Sequence, residues 1–222
     1  PDAHRREARG PLGETAVASL YDRYILPHVI GCACGASPIM HQRAKVVPNA
    51  AGEVLELGIG GGKNLAFYDP AKVAKVTGVD PSPELRAMAQ KAERPAGLAV
   101  SVEAGAAEAL PFPDASFDTV VATFTLCSVS DPAKALAEAK RVLKPGGRFL
   151  FCEHGLAPDA SVAKWQRRIE PVWKAIAGGC HLTRPVASAI GAAGFRLGAV
   201  ETMYLPNSPK FAGWNEWGWA EV

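Results

Sequence analysis

The run LELGIGGGKN (55–64) sets Gly58, Gly60 and Gly62 at alternate positions behind an acid, Glu56. Glycines at that spacing let a backbone turn sharply and approach a ligand without Cβ collisions. A second acid, Asp80, follows Gly58 by 22 residues and ends an apolar run. An open α/β sheet presents a carboxylate to a ribose diol at such a place. Asp80 also has a structural reading, a cap-like role ahead of a helix starting near Ser82. Two better-known loops fail on single residues. A dinucleotide fingerprint starting at Gly58 needs Gly or Ala where Lys63 stands. A phosphate loop ending at Gly62-Lys63 needs Gly for Leu57 and Ser or Thr for Asn64. Glu56 would repel a pyrophosphate and attract the amino group of a cationic ligand.

Groups able to move a proton lie elsewhere. His154 ends the apolar run RFLFCEH (148–154), and a neutral imidazole accepts a proton near neutral pH. The same ring would also serve to hydrogen-bond a neighbouring loop and fix the strand end. His181, beside Cys180, is a second candidate base, and Asp22, between Tyr21 and Tyr24, would orient a ligand. Tyr24, Trp165 and Trp173 supply aromatic area suited to an apolar acceptor, and an aromatic face attracts a cation. Trp217 and Trp219 alternate along the last apolar run and read as packing on one face. The five cysteines, Cys32, Cys34, Cys127, Cys152 and Cys180, are too sparse for a disulfide framework. Without a CxxC pair a zinc ribbon lacks its ligands, so reduced thiols and no metal are expected.

These residues need a scaffold that gathers them at one edge. EVLEL (53–57), KVTGVD (75–80), LAVSVEA (98–104), FDTVVATF (117–124) and RFLFCEH (148–154) read as strands, with helices over 82–93 and 132–143. Apolar runs alternating with helices argue for a parallel sheet covered on both faces. In the second helix Ala135, Leu136, Ala139, Val142 and Leu143 share a face, and Lys144-Pro145-Gly146-Gly147 stops it. Further helices are expected over 161–177 and 185–193, then strands over 200–205 and 214–222 joined by a Pro-rich turn. The expected fold is α/β: a doubly wound, mostly parallel, seven-stranded, Rossmann-like sheet whose edge is closed by an antiparallel C-terminal hairpin. Residues 1–50 are expected to form an N-terminal arm and helical lid over the pocket, and 51–222 the ligand-binding domain.

Composition removes other classes. The chain has 222 residues, 48% hydrophobic and 21% charged, as in an ordinary globular domain. A net charge of +2 offers no basic field, so no nucleic-acid partner is expected. The opening residues lack the apolar core of a secretory signal, and a cytoplasmic location is expected. Between Arg23 and Arg43 a stretch of 19 residues carries no Asp, Glu, Lys or Arg. Pro27, His28, Gly31 and Gly35 within it argue against a transmembrane helix, while peripheral contact with a membrane surface stays open.

With Glu56, the three glycines and Asp80 in hand, GAAEALPFPDASFDTV (105–120) and RVLKPGGRFLF (141–151) complete a pattern. In that order they resemble the class I S-adenosylmethionine-dependent methyltransferases along most of the chain. TLCSVSDP (125–132), the Glu153-His154 pair and GGCHLTR (178–184) resemble a subgroup containing the microsomal thiol S-methyltransferases and bacterial relatives. Phospholipid and quinone methyltransferases resemble these segments less. The resemblance implies S-adenosyl-L-methionine as cofactor. Gly58, Gly60 and Gly62 would pass beneath its methionine part, with Glu56 nearby, and Asp80 would accept from the ribose hydroxyls. Ala106, Ala107 and Glu108 would lie at the adenine, and Thr123 would approach the reacting end. Many relatives carry Asp where this chain has Ala106, which leaves that contact to backbone groups and packing. Methyl transfer to a small, apolar acceptor follows, a thiol first. The alternatives are a phospholipid or quinone acceptor, or cofactor binding without catalysis.

Overall fold

Short apolar runs become strands here because both of their faces are covered. The computed structural model describes residues 34–222. Its strands are β1 (Gly52–Leu57), β2 (Val73–Asp80), β3 (Val100–Ala104), β4 (Phe117–Thr123), β5 (Leu143–His154), β6 (Arg196–Tyr204) and β7 (Trp214–Glu221). They form one sheet in the order β3-β2-β1-β4-β5-β7-β6. The first five strands run parallel, and β7 is antiparallel to both β5 and β6. The chain order reverses between β1 and β4, so the loops leaving β1, β2 and β4 gather at one end of the sheet. Such a crevice is where open α/β sheets hold ligands.

Along β1 the sides alternate. Leu55 and Leu57 join one core with Val120, Phe149 and Phe151, while Val54 joins the opposite core with Val76, Val121 and Cys152. The helices that cover the sheet include α1 (Ser37–Val46), α2 (Pro83–Lys91), α3 (Pro132–Val142), α4 (Ala160–Ile176) and α5 (Val186–Ala192), with a short α6 (Lys210–Gly213) before β7. Helix α3 buries Ala135, Leu136, Ala139 and Val142, the stripe its spacing predicts. Asp131 caps it by accepting from the amides of Ala133 and Lys134. None of the helices among the described residues is long and apolar enough to cross a membrane.

The α/β, doubly wound, mostly parallel architecture is the one expected, with one difference in detail. Lys144-Pro145-Gly146-Gly147 does not separate α3 from the strand but belongs to β5, which pairs with β4 across a register break between Phe117 and Thr119. The antiparallel hairpin closes the sheet edge as expected, with β7 beside β5, from Arg148↔Glu221 to His154↔Asn215, and β6 outermost. Trp217 is buried, and Trp219 packs against the same core. The Trp219 ring lies over Gly198, where a Cβ would stand 2.3 Å from it. Of the segment expected to be arm and lid, residues 1–33, with Asp22 and Tyr24, lie outside the described residues.

Candidate active site

A cavity of about 460 Å³ opens at the crevice, within the size range of small-molecule sites. Gly58, Gly60, Asp80, Ala106, Ala107, Glu108 and Thr123 all line it. The glycine turn follows β1 with left-handed backbone at Gly58 (φ +61°), Gly60 (+54°) and Gly62 (+75°), a conformation costly for other residues. Each glycine has a separate reason. A Cβ on Gly58 would stand 2.6 Å from the Thr125 side chain, whereas one on Gly60 would meet only the Gly58 carbonyl, at 3.8 Å. Gly62 faces away from the cavity, and its Cβ would lie 2.7 Å from Ala92 and 3.0 Å from Ala89. It lets the loop pack against α2 and is not among the residues that line the cavity.

Asp80 ends β2 with one N–H at each oxygen. Gly60 donates to Oδ2 at 3.0 Å and Ser82 to Oδ1 at 2.9 Å. Burial pushes this carboxyl up, and the two amides and Arg86 oppose it. The cap of α2 is Ser82, which accepts from Leu85, so Asp80 is not spent on that role. A carboxylate offers about four acceptor positions, which leaves one on each oxygen for a vicinal diol. Val79, Leu85 and Val129 supply apolar wall beside it. Glu108 also lines the cavity, but its Oε1 accepts from the amides of Ser130 (2.7 Å) and Asp131 (3.2 Å). Its charge therefore ties down the turn before α3. This chemistry fits a nucleoside carrying a cationic tail, as S-adenosylmethionine does.

Glu56 is not at the cavity. It shares a side of β1 with Val54 and is fully buried behind the glycine turn, because successive strand residues face opposite ways. Tyr68 donates to its Oε2 at 2.7 Å and Asn64 to its Oε1 at 3.0 Å. Asn64 also donates to Thr123 Oγ1, and Arg43 donates to both Asn64 Oδ1 (2.8 Å) and Thr123 Oγ1. This chain of bonds carries Arg43, from α1, into the cavity wall, 5.1 Å from the centre of the Phe124 ring. Burial pushes the Glu56 carboxyl from 4.5 up to about 7, with Tyr68, Arg43 and Asn64 offsetting part of the shift. The folded value lies above the unfolded one, so the stability this group contributes is complete below 4.5 and lost as pH rises through about 7. Wild type should lose up to about 3 kcal/mol relative to Glu56→Gln between about pH 4.5 and about pH 8. Urea unfolding at both ends of that range checks it, and parallel pH profiles for the two proteins would refute it.

The far end of the cavity rests on Glu153. This fully buried carboxylate, in β5, accepts from the amides of Thr125 (2.7 Å) and Leu126 (2.9 Å) at Oε1 and of Cys127 (3.3 Å) at Oε2. The turn it holds includes Phe124, a non-glycine residue at φ +54°, a strained setting that clusters at functional sites. Thr125 in turn donates to the Leu57 carbonyl at 2.9 Å and so joins the ends of β4 and β1.

The remaining candidates lie off the cavity wall. His154 Nε2 is 2.8 Å from Cys180 Sγ, and Trp173 Nε1 donates to that sulfur at 3.4 Å. Burial depresses the imidazole, but Cys180 and the Glu153 charge outweigh it and raise its pKa. Cys127, His154 and Cys180 bring their ligand atoms within 4.8 Å of one another. His181 Nδ1 instead faces Glu170 at 3.1 Å, an ion-pair geometry away from the cavity. Trp165 is 59% exposed on α4 beside Phe211, so it is not a wall of this cavity. The roles of Arg43, Asn64, Tyr68, Thr125 and Glu153 at the site were not legible in the sequence. Asn64 gave a signal, standing where a phosphate loop would need Ser or Thr, and Thr125 and Glu153 lie in segments that carry the subgroup resemblance.

The sequence matches the Methyltransferase domain family over residues 55–151. A thiol S-methyltransferase of Rattus norvegicus is 41% identical over 169 residues, covering 72% of this chain and 68% of that protein. A phosphatidylethanolamine N-methyltransferase of Cereibacter sphaeroides is 36% identical over 161 residues, covering 70% of this chain and 77% of that one. An S-adenosylmethionine dependent methyltransferase from Mesorhizobium loti shares the fold, with a TM-score of 0.62, 23% identity, and coverage of 85% of this chain and 99% of that one. Identity over that much of both sequences goes beyond a shared fold, and it falls on a chain whose glycine turn and Asp80 already face one nucleoside-sized cavity. The chain belongs to the class I S-adenosylmethionine-dependent methyltransferases.

Proposed function

We propose that this enzyme methylates a small, apolar thiol. The carrying observation is the charge at the two ends of the cavity. The acids lining it among the described residues, Asp80 and Glu108, stand at the end suited to ribose and adenine, whereas Arg43 stands beside Thr123 and Phe124. A guanidinium there disfavours an ammonium acceptor and favours an anion. A thiol has an ordinary pKa near ~8.5 and supplies some thiolate at neutral pH without a strong base. The 41% identity to a rat thiol S-methyltransferase supports the same acceptor.

In this reading S-adenosylmethionine, when bound, supplies an electrophilic methyl group. The chain supplies alignment and exclusion of water. Asp80 holds the ribose diol, the open face of Gly60 accommodates the methionine part, and Ala106 and Ala107 hold adenine through backbone and packing. Thr123, fixed by Arg43 and Asn64, borders the reacting end. A second reading, transfer to a phospholipid amine, is favoured by the Cereibacter sphaeroides relative and by exposed Trp165 and Val172 on α4. Labelled methyl transfer from S-adenosylmethionine to small alkyl and aryl thiols, and to phosphatidylethanolamine vesicles, separates them. Turnover on thiols is expected. Label in the lipid with none on any thiol would overturn the proposal.

A further inference from the structure

The three residues that meet at His154 come from three separate elements. Cys127 follows β4, His154 ends β5, and Cys180 follows α4. Cys127 and Cys180 are buried and free of disulfides, and His154 is half-buried between them. The nitrogen of His154 nearest Cys180 is Nε2, while Nδ1 is buried without a partner among the described residues. A neutral ring with its proton on Nδ1 points a lone pair at the two sulfurs. Trp173 already donates to Cys180 Sγ, as outer groups do to metal-bound thiolates. Arg184, whose Nη1 donates to the Leu126 carbonyl, places a guanidinium within electrostatic reach of both sulfurs.

We propose that Cys127, His154 and Cys180 form a zinc site whose fourth position takes the sulfur of the acceptor thiol. Two thiolates and one imidazole make a three-ligand set of the kind used by catalytic zinc, which keeps a position open for water or substrate. Tetrahedral ligation at zinc–sulfur and zinc–nitrogen distances of about 2.3 and about 2.0 Å puts sulfur and nitrogen roughly 3.5 Å apart and the two sulfurs roughly 3.8 Å apart. The 2.8 Å between Cys180 and His154 must therefore open by roughly 0.7 Å, and the sulfur pair must lie within the 4.8 Å already present. Both are side-chain adjustments. The cluster adjoins the cavity at its reacting end, where Cys34, Phe124, Thr125, Ser128 and Gly178 form the wall.

The inference rests on the thiol reading above and supplies what that reading lacks, a group that ionises the acceptor. Zinc with two thiolates and neutral histidine has no net charge. An incoming R–SH binds as R–S⁻ and gives its proton to solvent, since a coordinated thiol is deprotonated outright. Its sulfur lone pair then forms the new S–CH₃ bond as the bond from that carbon to the sulfonium sulfur breaks. A neutral thioether and neutral S-adenosylhomocysteine result, with no change in redox state. A thioether is a weaker ligand than a thiolate, so the product leaves the metal.

Cobalt(II) titrated into the reduced, metal-free full chain tests the site by absorbance. One equivalent should produce thiolate-to-cobalt charge transfer and the intense d–d bands of four-coordination, and zinc should abolish them. Cys127→Ser and Cys180→Ser should each weaken cobalt binding by more than about tenfold while circular dichroism and S-adenosylhomocysteine binding hold. A small apolar thiol should shift the bands of the wild-type cobalt protein. Absence of charge transfer in wild type, a result that needs no variant to fold, would overturn the site. Bands indifferent to thiol would overturn its role in holding the acceptor. Labelled methyl transfer run in parallel keeps the two proposals apart: equal thiol turnover after chelation would sink the zinc and leave the acceptor, while an intact cobalt spectrum with label only in lipid would sink the acceptor.

Discussion

Glu153→Ala is expected to cost the protein about 3–5 kcal/mol. The carboxylate is fully buried and accepts three backbone N–H groups, from Thr125, Leu126 and Cys127. Alanine would leave all three without an acceptor, at roughly 1–3 kcal/mol for each donor that water cannot reach. The cavity left by the lost side chain adds to this, and entry of water subtracts. Glu153→Gln keeps a carbonyl oxygen for two of the donors but sets an amide NH₂ against the third, so an intermediate loss is expected. Urea unfolding measures both, with an unchanged m-value showing that the change lies in stability alone. Hydrogen exchange adds a local readout: the amides of Thr125, Leu126 and Cys127 should lose protection more than those of β1 and β2. A loss under about 1 kcal/mol for the alanine variant, typical of one ordinary hydrogen bond, would show that the turn stands without its clamp.

Asp80→Ala should weaken binding of S-adenosylhomocysteine by a factor on the order of 10²–10³. Two charge-assisted hydrogen bonds to a ribose diol contribute roughly 1.5–3 kcal/mol each. Part of that is recovered as water reaches the emptied position. The alanine variant also releases the amides of Gly60 and Ser82, so Asp80→Asn is the sharper comparison. It keeps one oxygen acceptor without charge and should fall between wild type and alanine. Calorimetric titration gives the affinities, and thermal unfolding without ligand confirms that each variant is folded. Equal affinity in a folded Asp80→Ala protein would remove the diol from this carboxylate.

The strands were legible because each is an apolar run bounded by turn residues, and the glycine turn because its neighbour Asp80 lies at the carboxyl end of the next strand. What sequence could not supply was contact between distant elements. Arg43 reads along the chain as the charge that ends an uncharged stretch. It is buried because its partners, Asn64 and Thr123, stand 21 and 80 residues away. Glu56 was read with the loop it precedes, whereas strand alternation turns its side chain behind that loop. His154 reads equally well as a base or as a fixed strand end, and only folding brings Cys127 and Cys180 to it. Motif spacing cannot see ligands drawn from three elements. Aromatic composition likewise could not distinguish Trp217, buried in the core, from Trp165 on the surface.

The placement of β7 between β5 and β6 has a consequence for biosynthesis. As the nascent chain lengthens, β5 pairs with β4 on one side but cannot complete its other side until residues 214–221 emerge. The earlier-made β6 does not substitute, because its partner in the sheet is β7. Between His154 and its partner Asn215 the ribosome adds 61 residues, which takes roughly 3–12 s at typical translation rates. Throughout that interval an unpaired strand edge carrying Phe149 and Phe151 faces the surrounding medium, a template for pairing with another chain. The yield of folded enzyme is therefore expected to fall as this interval lengthens. Slowing the ribosome over the codons for α5 to β6 should lower that yield without altering a single residue of the product.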